Sequence, residues 1–215
     1  MRAFVTGGNS TLGRAIVKCF QDNGWECLYS SRDGKECVKL DYNAPFDSKK
    51  LLEDVKEIDC LVNNAGIFTE GKQEELALSE FEKVIDVNLK GLFLTTQTFL
   101  PVLKKRNGAI VNIASINAIH PGFGTTAHYD ASKGAVKAYT ASLAFETGLR
   151  VNAVAPGLIS SDRLKGSDLE SYWCGHSVRE SMVAPEDIAK AVFFLATSQG
   201  IYGQTIVVDN GFLLR

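Results

Sequence analysis

Tyr129 and Lys133 stand four residues apart in Tyr129-Asp130-Ala131-Ser132-Lys133, one helical turn, so both side chains would project from the same face. A phenol of ordinary pKa, ~10, exchanges protons poorly near neutral pH. A neighbouring ammonium stabilises the phenolate and brings the phenol toward the working range. Such a pair suits a reaction in which an oxygen is protonated while a hydride arrives at the carbon beside it. Ser115, fourteen positions before Tyr129 at the end of an apolar run, could hold that oxygen beside the phenol; it could equally just terminate a strand. The Tyr-x-x-x-Lys spacing alone is weak, since chance supplies it in roughly a third of chains this long.

A second region is built for binding. The run Arg2–Thr6 leads into Thr6-Gly7-Gly8-Asn9-Ser10-Thr11-Leu12-Gly13 and then a helical pattern. That arrangement presents backbone N–H groups to a pyrophosphate and lets the chain approach it closely. Gly7, Asn9, Ser10, Thr11, Leu12 and Gly13 are the candidate contacts. A strand-to-helix turn that needs glycine only for tight geometry would read the same way. After the next strand, Ser30-Ser31-Arg32 offers the Ser31 hydroxyl and the Arg32 guanidinium where an acidic residue would contact the ribose of NAD. A planar guanidinium suits a 2′-phosphate, so NADP is favoured and NAD stays possible. An exposed turn arginine is the plain alternative.

The elements that must position these residues alternate along the chain. Strands are expected near 2–6, 25–30, 36–40, 58–62, 109–114, 150–155 and 204–208. Leu12 to Asn23 reads as a helix ending at Gly24, and Ser79 with Glu82 as a capping box opening a long helix that fades near Pro101. Ala127 to Thr147 runs into Gly148, and Pro185 opens a helix through Thr197. Strands alternating with helices predict an α/β fold, a parallel sheet covered on both faces. Only Ser31, Arg32, Asp33, Gly34 and Lys35 separate the second and third expected strands, too few for a crossover helix. Either the third strand is rearranged or it is an extended segment beside the sheet edge.

Bulk properties narrow the partners. A chain of 215 residues, 45% hydrophobic and 22% charged with a net charge of −2, suits one globular domain. The near-neutral balance argues against a nucleic-acid or membrane-surface partner and for a small molecule. No signal peptide or membrane span is expected from the opening Met-Arg-Ala-Phe-Val-Thr-Gly-Gly or from the apolar runs. Cys19, Cys27, Cys37, Cys60 and Cys174 are scattered without a Cys-x-x-Cys pair, which fits a reducing, cytoplasmic setting. His120 and His128 lack carboxylates or cysteines at ligand spacing, so no metal is expected. With no Gly-x-Ser-x-Gly elbow, Ser115 is not a covalent nucleophile.

Further landmarks complete a pattern: Asn63-Asn64-Ala65-Gly66, Asn88 in Val87-Asn88-Leu89-Lys90-Gly91, Pro156-Gly157, and Gln204–Asp209. With the glycine loop, Ser115, Tyr129 and Lys133, they follow the order and approximate spacing of the short-chain dehydrogenase/reductase family. The chain resembles that family, in its 3-oxoacyl-carrier-protein-reductase-like branch, over essentially its whole length. The resemblance implies a single doubly wound parallel-sheet (Rossmann) domain over residues 1–215, here with the helix between strands 2 and 3 shortened or missing. It implies an NAD(P)(H)-dependent oxidoreductase interconverting a carbonyl and a secondary alcohol. A non-catalytic, cofactor-binding sensor of the same fold is the rival, though a sensor has no need to keep acid, base and proton relay together.

Roles follow from the resemblance. Tyr129 would be the acid in reduction and the base in oxidation. Lys133 would lower its pKa and hold the nicotinamide ribose, so that both residues also border the cofactor. Ser115 would orient the carbonyl, and Asn88 would hold a water linking Lys133 to solvent. Asp41 would bond the adenine amino group, while Asn63, Ala65 and Gly66 would line the cofactor. Pro156, Gly157, Ile159 and Ser161 would fix the nicotinamide end. Residues from about 158 to 184 would form a substrate lid. Trp173 and His176 within it could contact substrate, but a surface-packed tryptophan and a solvated histidine are the favoured readings. A homotetramer or homodimer is implied, with the helices around Asn88 and Tyr129 packing across subunits. Two departures stand out. Thr11 replaces the usual middle glycine of the loop, where its side chain either crowds the phosphates or bonds one. The Ser115–Tyr129 interval is one residue longer than the commonest spacing. The substrate is left open among a 3-oxoacyl thioester, a small ketone, a sugar and a pterin.

Overall fold

The structure, a computed structural model, describes residues 1–215. In chain order it contains β1 (Arg2–Val5), α1 (Thr11–Asp22), β2 (Glu26–Ser31), β3 (Val38–Lys39), α2 (Ser48–Val55), β4 (Cys60–Asn63) and α3 (Leu78–Ile85). There follow α4 (Leu92–Arg106), β5 (Ala109–Ile113), α5 (Ala127–Thr147), β6 (Arg150–Pro156), α6 (Asp168–His176), α7 (Pro185–Thr197) and β7 (Thr205–Val208). The strands form one sheet in the order β3-β2-β1-β4-β5-β6-β7, and all neighbours run parallel. The order reverses between β1 and β4, where a crevice opens at the carboxyl ends of the strands.

Strands β4, β5 and β6 are buried at every residue, because helices cover both faces of a parallel sheet. β1 shows how the faces divide. Ala3 and Val5 pack with Ile16, Phe20, Val192 and Leu195 of α1 and α7. Phe4, pointing the other way, packs with Leu51, Val55, Phe99, Leu103 and Leu143 of α2, α4 and α5.

The connection between β2 and β3 resolves the two alternatives left by the sequence. It contains no helix, and the third strand does join the sheet, shortened to two residues that pair Ser30 with Val38 and Ser31 with Lys39. Since β3 pairs only with the end of β2, the chain turns back on itself in a compact loop. Ser31 Oγ organises it, donating to Asp33 Oδ1 (2.6 Å), accepting from Gly34 N (3.0 Å) and lying 3.0 Å from Cys37 Sγ. Gly34, at φ +68°, supplies the left-handed step.

Other elements depart from the sequence reading. Helix α2 was not expected; its eight residues are too few for a clear period, although Asp47 caps it by accepting from Lys50 N at 3.0 Å. The Ser79–Glu82 capping box does not form, because the helix already begins at Leu78 with Ala77 at the cap. Nor does that helix fade at Pro101. It passes through a wider π turn at Asp86–Gly91 and continues to Arg106. Pro101 and Gln97 one turn earlier are both exposed, so water can satisfy the carbonyl that lacks a donor. No helix is long and apolar enough to cross a membrane.

Candidate active site

Each strand end at the crevice delivers part of the site. β1 leads to the glycine loop, β4 to Asn64-Ala65-Gly66, β5 to Ser115, and β6 to Pro156 and Gly157. A cavity of ≈ 210 Å³ is bordered by Gly7, Asn9, Ser10, Ser31, Arg32, Asp41, Ala65 and Gly66. A second, of ≈ 340 Å³, is bordered by Thr11, Leu12, Ser115, Tyr129, Lys133, Pro156, Gly157, Ile159 and Ser161. Ser10, Asn64, Gly66 and Ile67 belong to both, so they are two ends of one cleft.

The glycine loop is held open by its own contacts. Gly7 adopts φ +65°, and Ser10 caps α1, its Oγ accepting from Gly13 N at 3.0 Å and donating to Gly7 O at 2.9 Å. Gly13 borders neither cavity; a Cβ there would lie 2.3 Å from Gly7 O, so glycine is needed to seat the helix on the loop. Thr11 is exposed and faces the second cavity from the first residue of α1. The loop therefore accommodates it without displacing the helix start.

Asn63 is not where the resemblance placed it. Its amide donates to Thr96 Oγ1 (3.0 Å) and Asn112 Oδ1 (2.8 Å), and Asn112 passes the chain to Thr140 Oγ1 (2.9 Å). This buried amide ladder ties β4 and β5 to α4 and α5, away from both cavities. Asn64, the residue the sequence reading passed over, borders the cleft instead. Its Nδ2 donates to Thr6 O (2.9 Å) and Gly7 O (3.0 Å). Successive strand residues face opposite sides, so one step in register separates packing from site. Asp41 lies at the first cavity with its Oδ1 accepting from Asn43 N at 3.0 Å. Arg32 is exposed at the same rim.

Helix α5 brings Tyr129 and Lys133 together, with Lys133 Nζ 5.8 Å from the Tyr129 ring centroid. Lys133 is buried and donates to Ile113 O at 2.9 Å. Burial without a carboxylate partner lowers its pKa to about 8. Burial also pushes the Tyr129 phenol up to about 12, opposed by the Ser115 hydroxyl and reinforced by the Asp130 carboxylate. The phenol is thus shifted in the direction opposite to the depression expected from Lys133, whose ammonium donates to Ile113 O.

Ser115 lies beside Tyr129 at the cavity wall, accepting from Asn117 N at 3.2 Å. Asn117 in turn donates to Asp130 Oδ1 (2.6 Å), and Asp130 Oδ2 accepts from Gly122 N (2.9 Å). Asp130 therefore fixes the loop between Ser115 and Tyr129. Asn88 sits in the π turn and clamps a backbone. Its Oδ1 accepts from Ile67 N (2.8 Å), and its Nδ2 donates to Ile67 O (3.0 Å) and Ser132 Oγ (3.1 Å). A Cβ on Gly66 would fall 3.3 Å from Asn88 Oδ1 and 3.4 Å from Lys133 Nζ. Glycine there keeps open the space that both atoms face.

The segment between β6 and α7 is more ordered than its sequence suggested. Ser167 caps α6, and Trp173 is buried, not surface-packed, with its ring stacked on Phe212 at 4.0 Å and 4°. A Cβ on Gly157 would lie 2.4 Å from Trp173 Cζ2, so the indole anchors this segment against the end of β6. His176 is exposed, as expected, and stacks on Tyr172 at 4.2 Å.

Comparison with known proteins places the geometry in context. Residues 7–213 match a family model described as enoyl-(acyl carrier protein) reductase. The chain is similar to the 3-oxoacyl-[acyl-carrier-protein] reductase FabG of Chlamydia muridarum, 32% identical over an aligned length of 238, gaps included, that covers 97% of this chain and 96% of the relative. Among solved structures it is similar to the ligand-free aldohexose dehydrogenase AldT of Thermoplasma acidophilum, with TM-score 0.90, 29% identity, and coverage of 100% and 94% of the two chains. It is also similar to ElxO with NADP bound, with TM-score 0.89, 27% identity, and coverage of 100% and 99%.

Proposed function

The chain belongs to the short-chain dehydrogenase/reductase family, and we propose that it reduces the ketone of a 3-oxoacyl thioester to the secondary alcohol, using NADPH and the trio Ser115, Tyr129 and Lys133. The observation that carries this reading is that all three border one cavity continuous with the glycine loop. The likeness to FabG supports the substrate class.

NADPH, when bound, supplies the hydride. The start of α1, with Gly7, Asn9, Ser10, Thr11 and Leu12, would hold the pyrophosphate; an open cradle at a helix N-terminus fits that group. Arg32 would hold the 2′-phosphate, and Asp41 the adenine. Ser31, its hydroxyl already engaged by Asp33 and Gly34, shapes the turn that carries Arg32. Ala65, Gly66, Pro156, Gly157, Ile159 and Ser161 would surround the nicotinamide end. Ser115 and Tyr129 converge on the substrate oxygen, where Ser115 donates a hydrogen bond and Tyr129 transfers the proton. Lys133 stabilises the phenolate left behind. The space beside Gly66 gives a water room to return a proton past Asn88.

The family model's description suggests enoyl reduction as a second reading. The Ser115 and Tyr129 hydroxyls border one cavity, which suits a ketone whose oxygen takes the proton while its own carbon takes the hydride, so NADPH oxidation is expected with a 3-oxoacyl thioester and not with a 2-enoyl thioester. The opposite preference would overturn the reading. Titration should show tighter binding of NADPH than NADH. Arg32→Ala should weaken NADPH by about 10- to 100-fold with little effect on NADH; a wild-type preference for NADH would remove Arg32 from this role.

The protein is proposed to work as one domain over residues 1–215, with residues 158–184 closing over the substrate, in a cytoplasmic, reducing setting that suits its free cysteines. Phe93 on α4 and Phe145 on α5 are 42% and 95% exposed, which supports a homotetramer or homodimer packed through these helices. Light scattering that finds only monomer would refute the assembly.

A further inference from the structure

Phe68 belongs to none of the motifs, yet it touches the proposed acid. Its ring meets Tyr129 edge to face, with centroids 4.9 Å apart at 81°, and it borders the same cavity as Ser115 and Lys133. Half of its surface is exposed (50%), so a large apolar ring faces open space beside the reacting groups. Isolated exposed aromatics are common on loop tips, but this one is held from both sides. Asn88 grips the backbone N–H and C=O of Ile67, and Thr69 Oγ1 lies 2.8 Å from Nε2 of the buried His128. Gly71 N donates to Thr125 O at 2.8 Å, tying the same loop to the chain just before α5. Asn88 and His128, one residue from Tyr129, thus fix Phe68 relative to the phenol.

We propose that Phe68 is a specificity-determining residue: its exposed ring forms the wall against which the apolar substituent next to the reacting carbonyl lies. This rests on the carbonyl-reductase reading and deepens it. A ring supplies contact area and no hydrogen-bonding capacity. It therefore rewards an alkyl or acyl chain and gives nothing to the hydroxyls of a polyol. Each methylene laid against it should contribute a factor of roughly two to four in kcat/KM, less than or equal to the gain from complete burial.

The test uses the full chain with NADPH, 3-oxoacyl N-acetylcysteamine thioesters of increasing length, and aldohexoses with NADP. In wild type, kcat/KM should climb with chain length, mainly through KM. In Phe68→Ala the climb should flatten, and Phe68→Leu should restore part of it. The half-exposed position makes both variants safe for folding. An unchanged climb in Phe68→Ala, a uniform fall in kcat at every length, or preferential turnover of aldohexoses would each overturn the role of Phe68 while leaving the enzyme an oxidoreductase. No turnover of any carbonyl or alcohol would instead overturn the functional reading, and the inference with it.

Discussion

Tyr129→Phe is expected to lower kcat for carbonyl reduction by about 10²- to 10⁴-fold. The substitution removes only the hydroxyl. The ring, its edge-to-face contact with Phe68 and the helix around it stay, so circular dichroism and the melting temperature should change little. Steady-state rates with NADPH and a 3-oxoacyl thioester provide the measurement; a variant turning over at close to the wild-type rate would refute Tyr129 as the acid. The pH profile adds a second check. Reduction needs the phenol protonated and the Lys133 ammonium charged. With the phenol at about 12 and the ammonium at about 8, the ammonium is lost first. The kcat/KM for reduction should therefore fall as pH rises through about 8, since this parameter reports the free enzyme.

Lys133→Met should lower kcat/KM by about 10²- to 10³-fold and erase that inflection, while making the protein more stable. Lys133 carries its charge in a buried site where its one hydrogen bond goes to Ile113 O, and burial brings its pKa from 10.5 to about 8. Because the folded pKa lies below the unfolded one, the unfolded chain binds more protons between the two values. Wild-type stability should therefore rise with pH across that window, by up to about 3 kcal/mol. At pH 7 the whole cost is present. Replacing the ammonium with an apolar group of similar length removes it, less about 1 kcal/mol for leaving the Ile113 carbonyl unpaired. A melting temperature a few degrees above wild type at pH 7, converging with wild type toward pH 10, is the expected result. A variant less stable at pH 7 would show that Lys133 is a structural group. Loss of activity alongside a gain in stability is what an ionisable group retained for chemistry gives.

Much of this architecture was legible in the amino-acid order. The strand and helix alternation, the helix running from Ala127 into Gly148, and Pro185 opening α7 all rest on local chemistry: periodicity, φ-restricted proline and left-handed glycine. Tyr129 and Lys133 share a face because helix geometry places residues four apart together. Elements that local patterning leaves undecided were misread or missed. Helix α2 is short, the Ser79–Glu82 pattern fell one residue inside the true helix start, and the exposed Pro101 did not end its helix.

Local order along the chain sufficed to place the sheet, the glycine loop and the residues proposed to exchange a proton with a substrate oxygen. Tertiary structure decided which neighbours those residues have. Asn63 and Asn64 are the same residue type side by side; one is buried in an amide ladder and the other staples the cleft, because pleating turns consecutive side chains to opposite faces. Trp173 reads as a surface residue until Phe212, near the far end of the chain, stacks on it. Phe68 carries no motif and gains a role only when Ile67, Thr69 and Tyr129 are brought around it. Periodicity and backbone preference act within a few residues and can be read in order along the chain. Burial, pKa and contact depend on segments that meet only after folding.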